Sequence, residues 1–286
     1  MSVPDHDGLT KVQKRRLRGH FGFTRAPFSK YMWAANMYDS SSQRELLAGL
    51  QMWLELKGIA LVIGPSGVGK SITLRRFVKE LDDARYRVLL LSCLPSTPHG
   101  FLRSLSRELG LPMRQHTADL FDQVQKRLVE LGQAEGPHPV VVLDDAEGLR
   151  VSVMDVLRRL TSAHLDEQDH FSLVLAGTEE LLHNLQVPQL APLRSRVGFA
   201  CQLRPYGLED TRQYVAYQLQ RASVEARVFS DQAVKHIFQA SRGYPRSVNQ
   251  LALQALIAAA IAGRDAIDGD FMQRVCKTHP LYQGAA

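Results

Sequence analysis

A short glycine-rich segment, GPSGVGKS, occupies residues 64–71 and has the residue types needed to hold a phosphate. Gly64, Gly67 and Gly69 leave backbone N–H groups free to curl around an anion, since no side chain obstructs the approach. Lys70 adds a positive charge, and the Ser71 hydroxyl is a suitable ligand for Mg²⁺. The segment therefore predicts a nucleotide-phosphate site, with a chance glycine turn as the alternative.

The residues on either side of this segment favour the phosphate site over a chance turn. The apolar run GIALVI (58–63) precedes it, and SITLRRFVKELD (71–82) follows with apolar residues at helical spacing. A strand, a loop and a helix in this order are the setting of a P-loop. The phosphates then lie at a helix N-terminus, where unpaired amides and the helix dipole favour negative charge.

Carboxylates form a second group of candidate residues, in VVVLDDAE (140–147). The apolar residues predict a buried strand, so Asp144 should emerge at the carboxyl edge of a parallel sheet, where such sheets bind ligands. A carboxylate there can hold the Mg²⁺ that bridges nucleotide phosphates. Either Asp145 or Glu147 could orient and deprotonate an attacking water. The alternative is that Asp144 and Asp145 cap the helix that follows.

Four further polar residues lie where they could act on the same phosphates. Thr178 ends the run FSLVLAGT, so it could hydrogen-bond the γ-phosphate or the water, or be an ordinary residue at a strand end. Arg194 and Arg196 follow a loop; in a ring of subunits one of them could reach a neighbour's nucleotide, and otherwise both are surface residues. Arg246 opens a predicted helix behind Gly243 and Pro245 and could reach the γ-phosphate.

The order of predicted elements indicates an α/β protein with a separate helical region. Apolar strands are predicted at 58–63, 86–94, 140–145 and 171–177, and helices at 42–58, 71–82, 100–110, 117–133 and 152–164. Alternating helices and apolar strands predict a parallel sheet covered on both faces. Beyond residue 205 the pattern is helical throughout. We therefore predict a basic N-terminal arm at 1–19, a nucleotide-binding αβα domain at 20–205 and a helical lid at 206–286.

Charge is distributed unevenly along this 286-residue chain of net charge +6. The segment KVQKRRLR (11–18) contains five Lys or Arg residues and no acid. Such an arm can neutralise nucleic-acid phosphates without reading sequence, or it can be a solvated tail. The candidate DNA-binding residues are Lys11, Lys14, Arg15, Arg16 and Arg18.

Composition argues against a secreted or membrane protein. The N-terminus has no apolar run behind its basic residues, and the longest apolar stretch, LALQALIAAAIAG (251–263), is short and rich in alanine. Cys93, Cys201 and Cys276 are far apart and lack metal-ligand spacing, so we expect buried, reduced thiols. We therefore predict a cytoplasmic protein that has no membrane partner.

Taken together, these motifs resemble the AAA+ ATPases of the ExeA type, a secretion-ATPase-like group that includes helper ATPases of bacterial transposons. The resemblance covers about residues 20–275 and runs, in order, through HFGFTRAPF, GPSGVGKS, VVVLDDAE, LVLAGTEEL, LRSRV and GYPRSVNQL. It implies a five-stranded parallel αβα core, a helical lid, ATP-driven homo-oligomerisation into a ring or helical filament, and ATP hydrolysis at subunit interfaces.

The resemblance also implies roles for particular residues. ATP would be bound by Gly64, Pro65, Ser66, Gly67, Val68, Gly69, Lys70, Ser71 and Ile72, and Mg²⁺ by Ser71 and Asp144. Thr178 is similar to sensor 1, Arg194 or Arg196 to the arginine finger, and Arg246 to sensor 2. One position departs from the family pattern, which usually has Asp-Glu where this chain has Asp144-Asp145. Hydrolysis is then expected to be slow, or assisted by Glu147.

A particular biological role is expected within this group. Secretion members continue beyond the lid with a membrane span, whereas this sequence stops at Ala286 and carries a basic arm. These features favour a transposition helper that coats or encircles double-stranded DNA when ATP is bound and recruits a transposase or another recombination partner. The alternatives are a soluble ExeA-type secretion-associated ATPase and a nucleotide-gated scaffold with little hydrolysis. Small-molecule kinase activity would leave the lid and the interface arginines without a role.

Overall fold

Five apolar strands form a parallel sheet in the computed structural model of this chain, which describes residues 19–29, 37–133, 136–162, 169–223 and 228–282. The strands are β1 (Ile59–Ile63), β2 (Tyr86–Leu91), β3 (His138–Leu143), β4 (Ser172–Gly177) and β5 (Val197–Gln202), in the spatial order β2-β3-β4-β1-β5. All neighbouring pairs are parallel. Every residue of β1 and β4 is buried, as a sheet covered on both faces requires.

Helices cover the two faces of this sheet. The helices of this unit are α1 (Ser41–Leu56), α2 (Lys70–Glu80), α3 (Pro98–Glu108), α4 (Thr117–Gln133), α5 (Val151–Thr161), α6 (Glu179–Leu185) and α7 (Ala191–Arg194). One large apolar cluster joins Ile59, Leu61 and Ile63 of β1 to the buried faces of helices α3 to α6. The alternate residues Ala60 and Val62 point to the other face, where α1 and α2 pack. The predicted αβα layers are therefore present.

A second compact unit is helical. It contains α8 (Leu208–Arg221), α9 (Asp231–Ser241), α10 (Pro245–Ala262) and α11 (Gly269–Thr278), which share an apolar core. Ser230 caps α9 by accepting from the N–H of Ala233, and Asp268 caps α11 by accepting from the N–H of Phe271. Gly263 ends α10 in the left-handed conformation, which glycine adopts without strain.

The N-terminal segment, residues 19–29, packs with this helical unit, whereas the predicted nucleotide-binding domain ran from residue 20 to residue 205. Phe23 and Phe28 are buried in the core of the helical unit, and Phe28 packs edge-on against Phe229. The N–H of Thr24 donates to the carbonyl of Ala222 at 3.1 Å. Aromatic side chains can pack on any apolar surface, so sequence pattern alone does not reveal which core they join.

The turn Gly67–Gly69 also groups with the helical unit, while the flanking residues 41–66 and 70–203 form the αβα unit. The predicted boundary near residue 205 lies one residue from the start of the last helical-unit segment at Arg204.

The cysteine expectation is correct in part. None of the three cysteines is in a disulfide, but only Cys276 is buried, Cys201 is half-buried and Cys93 is exposed. The expectation of a buried thiol is therefore wrong for Cys93, which lies just beyond the apolar strand β2, where the chain leaves the sheet.

A half-buried histidine at the start of β3 makes the αβα unit sensitive to acid. The ring Nε2 of His138 lies 3.0 Å from the Ser172 hydroxyl, and burial, together with the charge of Lys57, lowers the pKa of His138 to about 4. The unfolded chain, with a histidine pKa of about 6.5, then binds more protons than the folded chain between these two values. Folding stability is therefore fully present above about pH 6.5 and is lost as the pH falls towards 4.

We expect His138→Gln to flatten this dependence, because glutamine does not titrate. Thermal melting of both proteins at intervals from pH 7.5 to 4 measures the effect. His116→Gln, at an exposed position before α4, is the matched control and should leave the dependence unchanged. Equal slopes for the parent and His138→Gln would contradict the assignment.

Candidate nucleotide site

The P-loop has the backbone conformation that phosphate binding requires. Gly67 and Gly69 have φ angles of +81° and +113°, which residues with a side chain rarely adopt. The N–H of Gly64 donates to the carbonyl of Gly177 at 3.1 Å, so the loop leaves β1 beside the end of β4. The Val68 side chain is buried, whereas Ser66 is exposed.

Lys70 is the first residue of α2, and its side chain is folded onto the loop. Its Nζ donates to the carbonyl of Gly64 at 2.7 Å and to that of Pro65 at 3.3 Å. Lys70 is only 6% exposed, so its charge is held close to the loop backbone. Ser71 and Ile72 complete the first turn of α2 and are half-buried. This set of donors and the glycine-rich loop fit the triphosphate of a nucleotide.

Asp144 lies at the carboxyl edge of the sheet, as predicted. It follows β3 directly, and its N–H donates to the carbonyl of Leu91 at the end of β2. Its carboxylate accepts from the N–H of Asp145 at 3.1 Å, and the residue is only 6% exposed. Because β3, β4 and β1 are neighbours in the sheet, Asp144, Thr178 and Gly64 leave adjacent strands at the same edge. With the Ser71 hydroxyl, the Asp144 carboxylate has the oxygen chemistry that Mg²⁺ prefers.

The two candidate bases are placed differently. Asp145 has φ 56° and ψ 42°, in the left-handed region, and is exposed. Glu147 lies in the 3₁₀ turn Ala146–Gly148 and is half-buried. Its Oε2 is fully buried and has no hydrogen-bond partner among the described residues. A Cβ atom built on Gly177 would lie 2.7 Å from this oxygen, so the carboxylate rests against the end of β4.

Thr178 and a residue that the sequence did not indicate complete this edge. Thr178 precedes α6, and its side chain makes no capping hydrogen bond, which leaves the hydroxyl available to a ligand. Asn184, on α6, donates from Nδ2 to the carbonyl of Glu147 at 3.2 Å. No motif marks Asn184, because its contact is with the backbone of a residue 37 positions away.

The two candidate finger arginines lie at the opposite edge of the sheet. They immediately precede β5, whose first residue, Val197, pairs with Ile59 at the start of β1. The carbonyl of Arg196 lies 3.9 Å from the position of a Cβ on Gly58. The P-loop follows the other end of β1, about 13 Å away at a rise of about 3.3 Å per residue. Neither arginine is therefore placed to reach the P-loop of its own chain.

These arginines differ in exposure. Arg194 is exposed, and its guanidinium donates to the carbonyl of Leu185 at 3.2 Å. Arg196 is half-buried and donates to the hydroxyl of Ser162 at 2.5 Å.

Arg246 is the remaining predicted site residue. It lies next to the P-loop turn Gly67–Gly69, which belongs to the same compact unit. Its N–H donates to the carbonyl of Gly67 at 3.3 Å. A Cβ on Gly67 would lie 3.1 Å from the Cβ of Arg246 and 3.7 Å from its Nε. Pro245 is the first residue of α10, so Arg246 belongs to the first turn of that helix.

The candidate DNA-binding residues Lys11, Lys14, Arg15, Arg16 and Arg18 lie outside the described residues. Within the described ranges, no group of three or more His, Cys, Asp or Glu residues is arranged to hold a metal ion by itself. The helices described there are also too short or too polar to cross a membrane.

Comparison with known proteins agrees with this geometry. Residues 54–185 match the family described as an AAA domain. General secretion pathway protein A of Aeromonas hydrophila is 31% identical over 247 residues, which are 85% of this chain and 45% of that protein. This chain therefore spans about half the length of that relative.

Two solved structures show the same fold at low identity. Aeropyrum pernix ORC2, in ADPNP and ADP complexes, has a TM-score of 0.66 at 16% identity, over 90% of this chain and 72% of that one. Aeropyrum pernix ORC1 in complex with DNA has a TM-score of 0.63 at 17% identity, over 85% and 66%. The chain thus has the fold of AAA+ P-loop NTPases, residues 54–185 match the AAA domain family, and the chain is similar to general secretion pathway protein A.

Proposed function

We propose that this protein binds ATP at residues 64–72 and hydrolyses it. The observation that carries the proposal is the carboxyl edge of β1, β3 and β4, which joins the P-loop to Asp144 and Thr178. Lys70 supplies positive charge to the β- and γ-phosphates, and Ser71 and Asp144 would hold Mg²⁺. The ion, when bound, neutralises charge that develops on the phosphates. A steady-state phosphate-release assay tests this activity.

We also propose that the active site is shared between subunits. Arg194 and Arg196 lie at the sheet edge remote from the P-loop of their own chain, so either of them could act only on the ATP of a neighbouring subunit. Subunits related head to tail form a closed ring or an open helical filament, both of which repeat this contact. Arg246, whose N–H donates to the carbonyl of Gly67, would be the sensor 2 residue of this site.

Double-stranded DNA is the polymer on which we propose that these subunits assemble. ORC1, which has a similar fold, was solved in complex with DNA, and the arm of this chain holds five basic residues in eight. The αβα unit adds an exposed basic face on α3. Arg103 and Arg107 are exposed and one helical turn apart, about 6 Å along the axis, and neither forms an ion pair with a described residue. Unpaired arginines suit contacts to phosphates.

DNA binding that depends on ATP and salt is the expected result. In the presence of a non-hydrolysable ATP analogue, duplex affinity should fall with salt. Arg103→Ala/Arg107→Ala should lower the slope by about 0.9 for each phosphate that is no longer neutralised, or about 1.8 for two. Fluorescence polarisation of a labelled duplex measures the affinity and its salt slope. The salt concentration is varied between about 50 and 200 mM, where affinity that depends on phosphate contacts falls steeply. Deleting residues 1–18 should flatten the slope further without changing ATP affinity.

A matched pair of residues on α2 controls for loss of surface charge. Arg75 and Lys79 are also exposed, lie four positions apart and form no ion pair with a described residue, but α2 packs on the other face of the sheet. Arg75→Ala/Lys79→Ala should keep the parental slope. If the parent forms no DNA complex at low salt with saturating analogue, the DNA proposal fails.

An ExeA-type secretion-associated role is the second candidate, and the 31% identity to general secretion pathway protein A favours it. ATP hydrolysis and assembly in the absence of any DNA binding would support this secretion-associated role. ATP-driven assembly without appreciable hydrolysis would instead support the nucleotide-gated scaffold. The transposase partner, the transposition role and the cytoplasmic location stay predictions from the sequence.

A further inference from the structure

Glu147 carries a buried side-chain oxygen to which no residue of the described ranges donates a hydrogen bond. Among the described residues, the buried side-chain atoms without a partner are Nε1 of Trp53 and Oε2 of Glu147. Burying a carboxylate oxygen without a partner costs free energy, so native structures rarely keep one without a functional reason. The Glu147 oxygen rests against Gly177, at the edge of the sheet where the P-loop begins.

The backbone of Glu147 is fixed by its neighbours. Asn184 donates to its carbonyl at 3.2 Å, and Ala146, the preceding residue, is completely buried. The absence of a side chain at Gly177 makes room for the carboxylate, because a methyl group there would overlap Oε2. The position of this oxygen is therefore determined by the fold and not by solvent.

Asp145 has the opposite character. It is exposed, and its left-handed backbone places it at the point where the chain turns away from β3. Its N–H is bonded to the Asp144 carboxylate, which ties its backbone and leaves its side chain in solvent. A base in bulk water lacks the fixed position that proton transfer requires.

We propose that Glu147, rather than Asp145, is the catalytic base, and that Asn184 is a positioning residue that acts through the Glu147 backbone. The proposal rests on the ATP hydrolysis proposed above. The water oxygen forms a bond to the γ-phosphorus while the bond from that phosphorus to the β–γ bridging oxygen breaks. Glu147 accepts the proton of the attacking water and later releases it to solvent. The products are ADP and phosphate.

Two Glu147 variants separate a catalytic role from a structural one. Glu147→Gln should lower kcat by at least about 100-fold, as expected when a general base is lost, while the affinity for an ATP analogue stays within about threefold. Glu147→Met, similar in length and apolar, should melt at or above the parental temperature because it removes an unsatisfied buried oxygen. A structural anchor would instead show a lower melting temperature and weaker nucleotide binding.

Three further variants locate the effect. Asp145→Asn should lower kcat less than about tenfold, and Asn184→Ala should lower kcat with unchanged analogue affinity, because the turn loses its support. Glu180→Gln, exposed on the first turn of α6, is the control expected to keep the parental rate.

Each outcome of these assays decides the proposal. A larger loss for Asp145→Asn than for Glu147→Gln overturns it while leaving ATP hydrolysis established. A parent that binds ATP but releases no phosphate overturns the hydrolysis on which it rests. If Glu147→Gln does not fold, the Asp145→Asn rate still decides, because a loss of about 100-fold there would assign the base to Asp145.

Discussion

Replacing Lys70 with alanine is expected to abolish nucleotide binding. The ammonium is held on the loop carbonyls of Gly64 and Pro65, only 6% exposed, so it is positioned before the phosphates arrive. Its removal takes away charge-assisted hydrogen bonds worth about 1.5–3 kcal/mol each. The loss of two such bonds, one to the β-phosphate and one to the γ-phosphate, corresponds to a loss of about 10²–10⁴-fold in nucleotide affinity. Isothermal titration with ATP and with a non-hydrolysable analogue measures the change.

Lys79→Ala is the control for this substitution. Lys79 lies in the last turn of the same helix, is exposed and should not affect affinity. Thermal melting without nucleotide shows whether Lys70→Ala remains folded, since the Gly64 carbonyl loses a donor. Unchanged affinity in a folded Lys70→Ala protein would refute the P-loop assignment.

Loss of a finger arginine is expected to have the second large effect. Removing an arginine supplied in trans costs about 10³–10⁵ in kcat in related phosphoryl-transfer sites. Both arginines bond to their own chain, and we expect the larger loss for Arg194→Ala because Arg194 is exposed whereas Arg196 is half-buried. Both variants should bind nucleotide with parental affinity as monomers. Phosphate release measured over a range of protein concentrations checks this.

Mixing two inactive proteins tests whether the site is shared. Lys70→Ala subunits keep the finger arginine, and Arg194→Ala subunits keep an intact P-loop. An interface in which an Arg194→Ala subunit supplies the P-loop and a Lys70→Ala subunit supplies the arginine therefore has a complete active site. In a random equal mixture about one interface in four has this arrangement, which gives about a quarter of the parental rate. A mixture that remains inactive, or a parental rate per subunit that is independent of concentration, would contradict a shared site.

Much of the nucleotide-binding core could be predicted from the sequence because strong local signals coincide there. Glycines at the spacing of residues 64–69 are typical of a phosphate-binding loop. An uninterrupted apolar strand before Asp144 indicates that the strand is buried and that Asp144 lies at the edge of the sheet. The predicted bounds of helices and strands differ from the observed ones by a few residues. The helix predicted at 152–164 is Val151–Thr161, and the strand predicted at 86–94 is Tyr86–Leu91. Such ends depend on tertiary contacts and not on periodicity.

Features set by distant contacts were outside the reach of sequence patterns. The orphaned oxygen of Glu147 depends on Gly177, and the support from Asn184 depends on a helix 37 residues further along the chain. The left-handed backbone of Asp145 is unusual for a residue with a side chain, so propensity argues against it. The choice between Asp145 and Glu147 therefore required the structure.

The packing of the N-terminal segment into the helical unit has a consequence for folding during synthesis. Phe23 and Phe28 leave the ribosome first, but their core partners begin beyond Arg204, and the Thr24–Ala222 hydrogen bond joins residues 198 positions apart. At about 5–20 residues per second, synthesis of the intervening αβα unit takes about 10–30 s. Throughout that interval two large aromatic side chains have no native partner. The nascent chain is therefore exposed to aggregation until its C-terminal helices are made, and chaperone binding would be most useful during this interval.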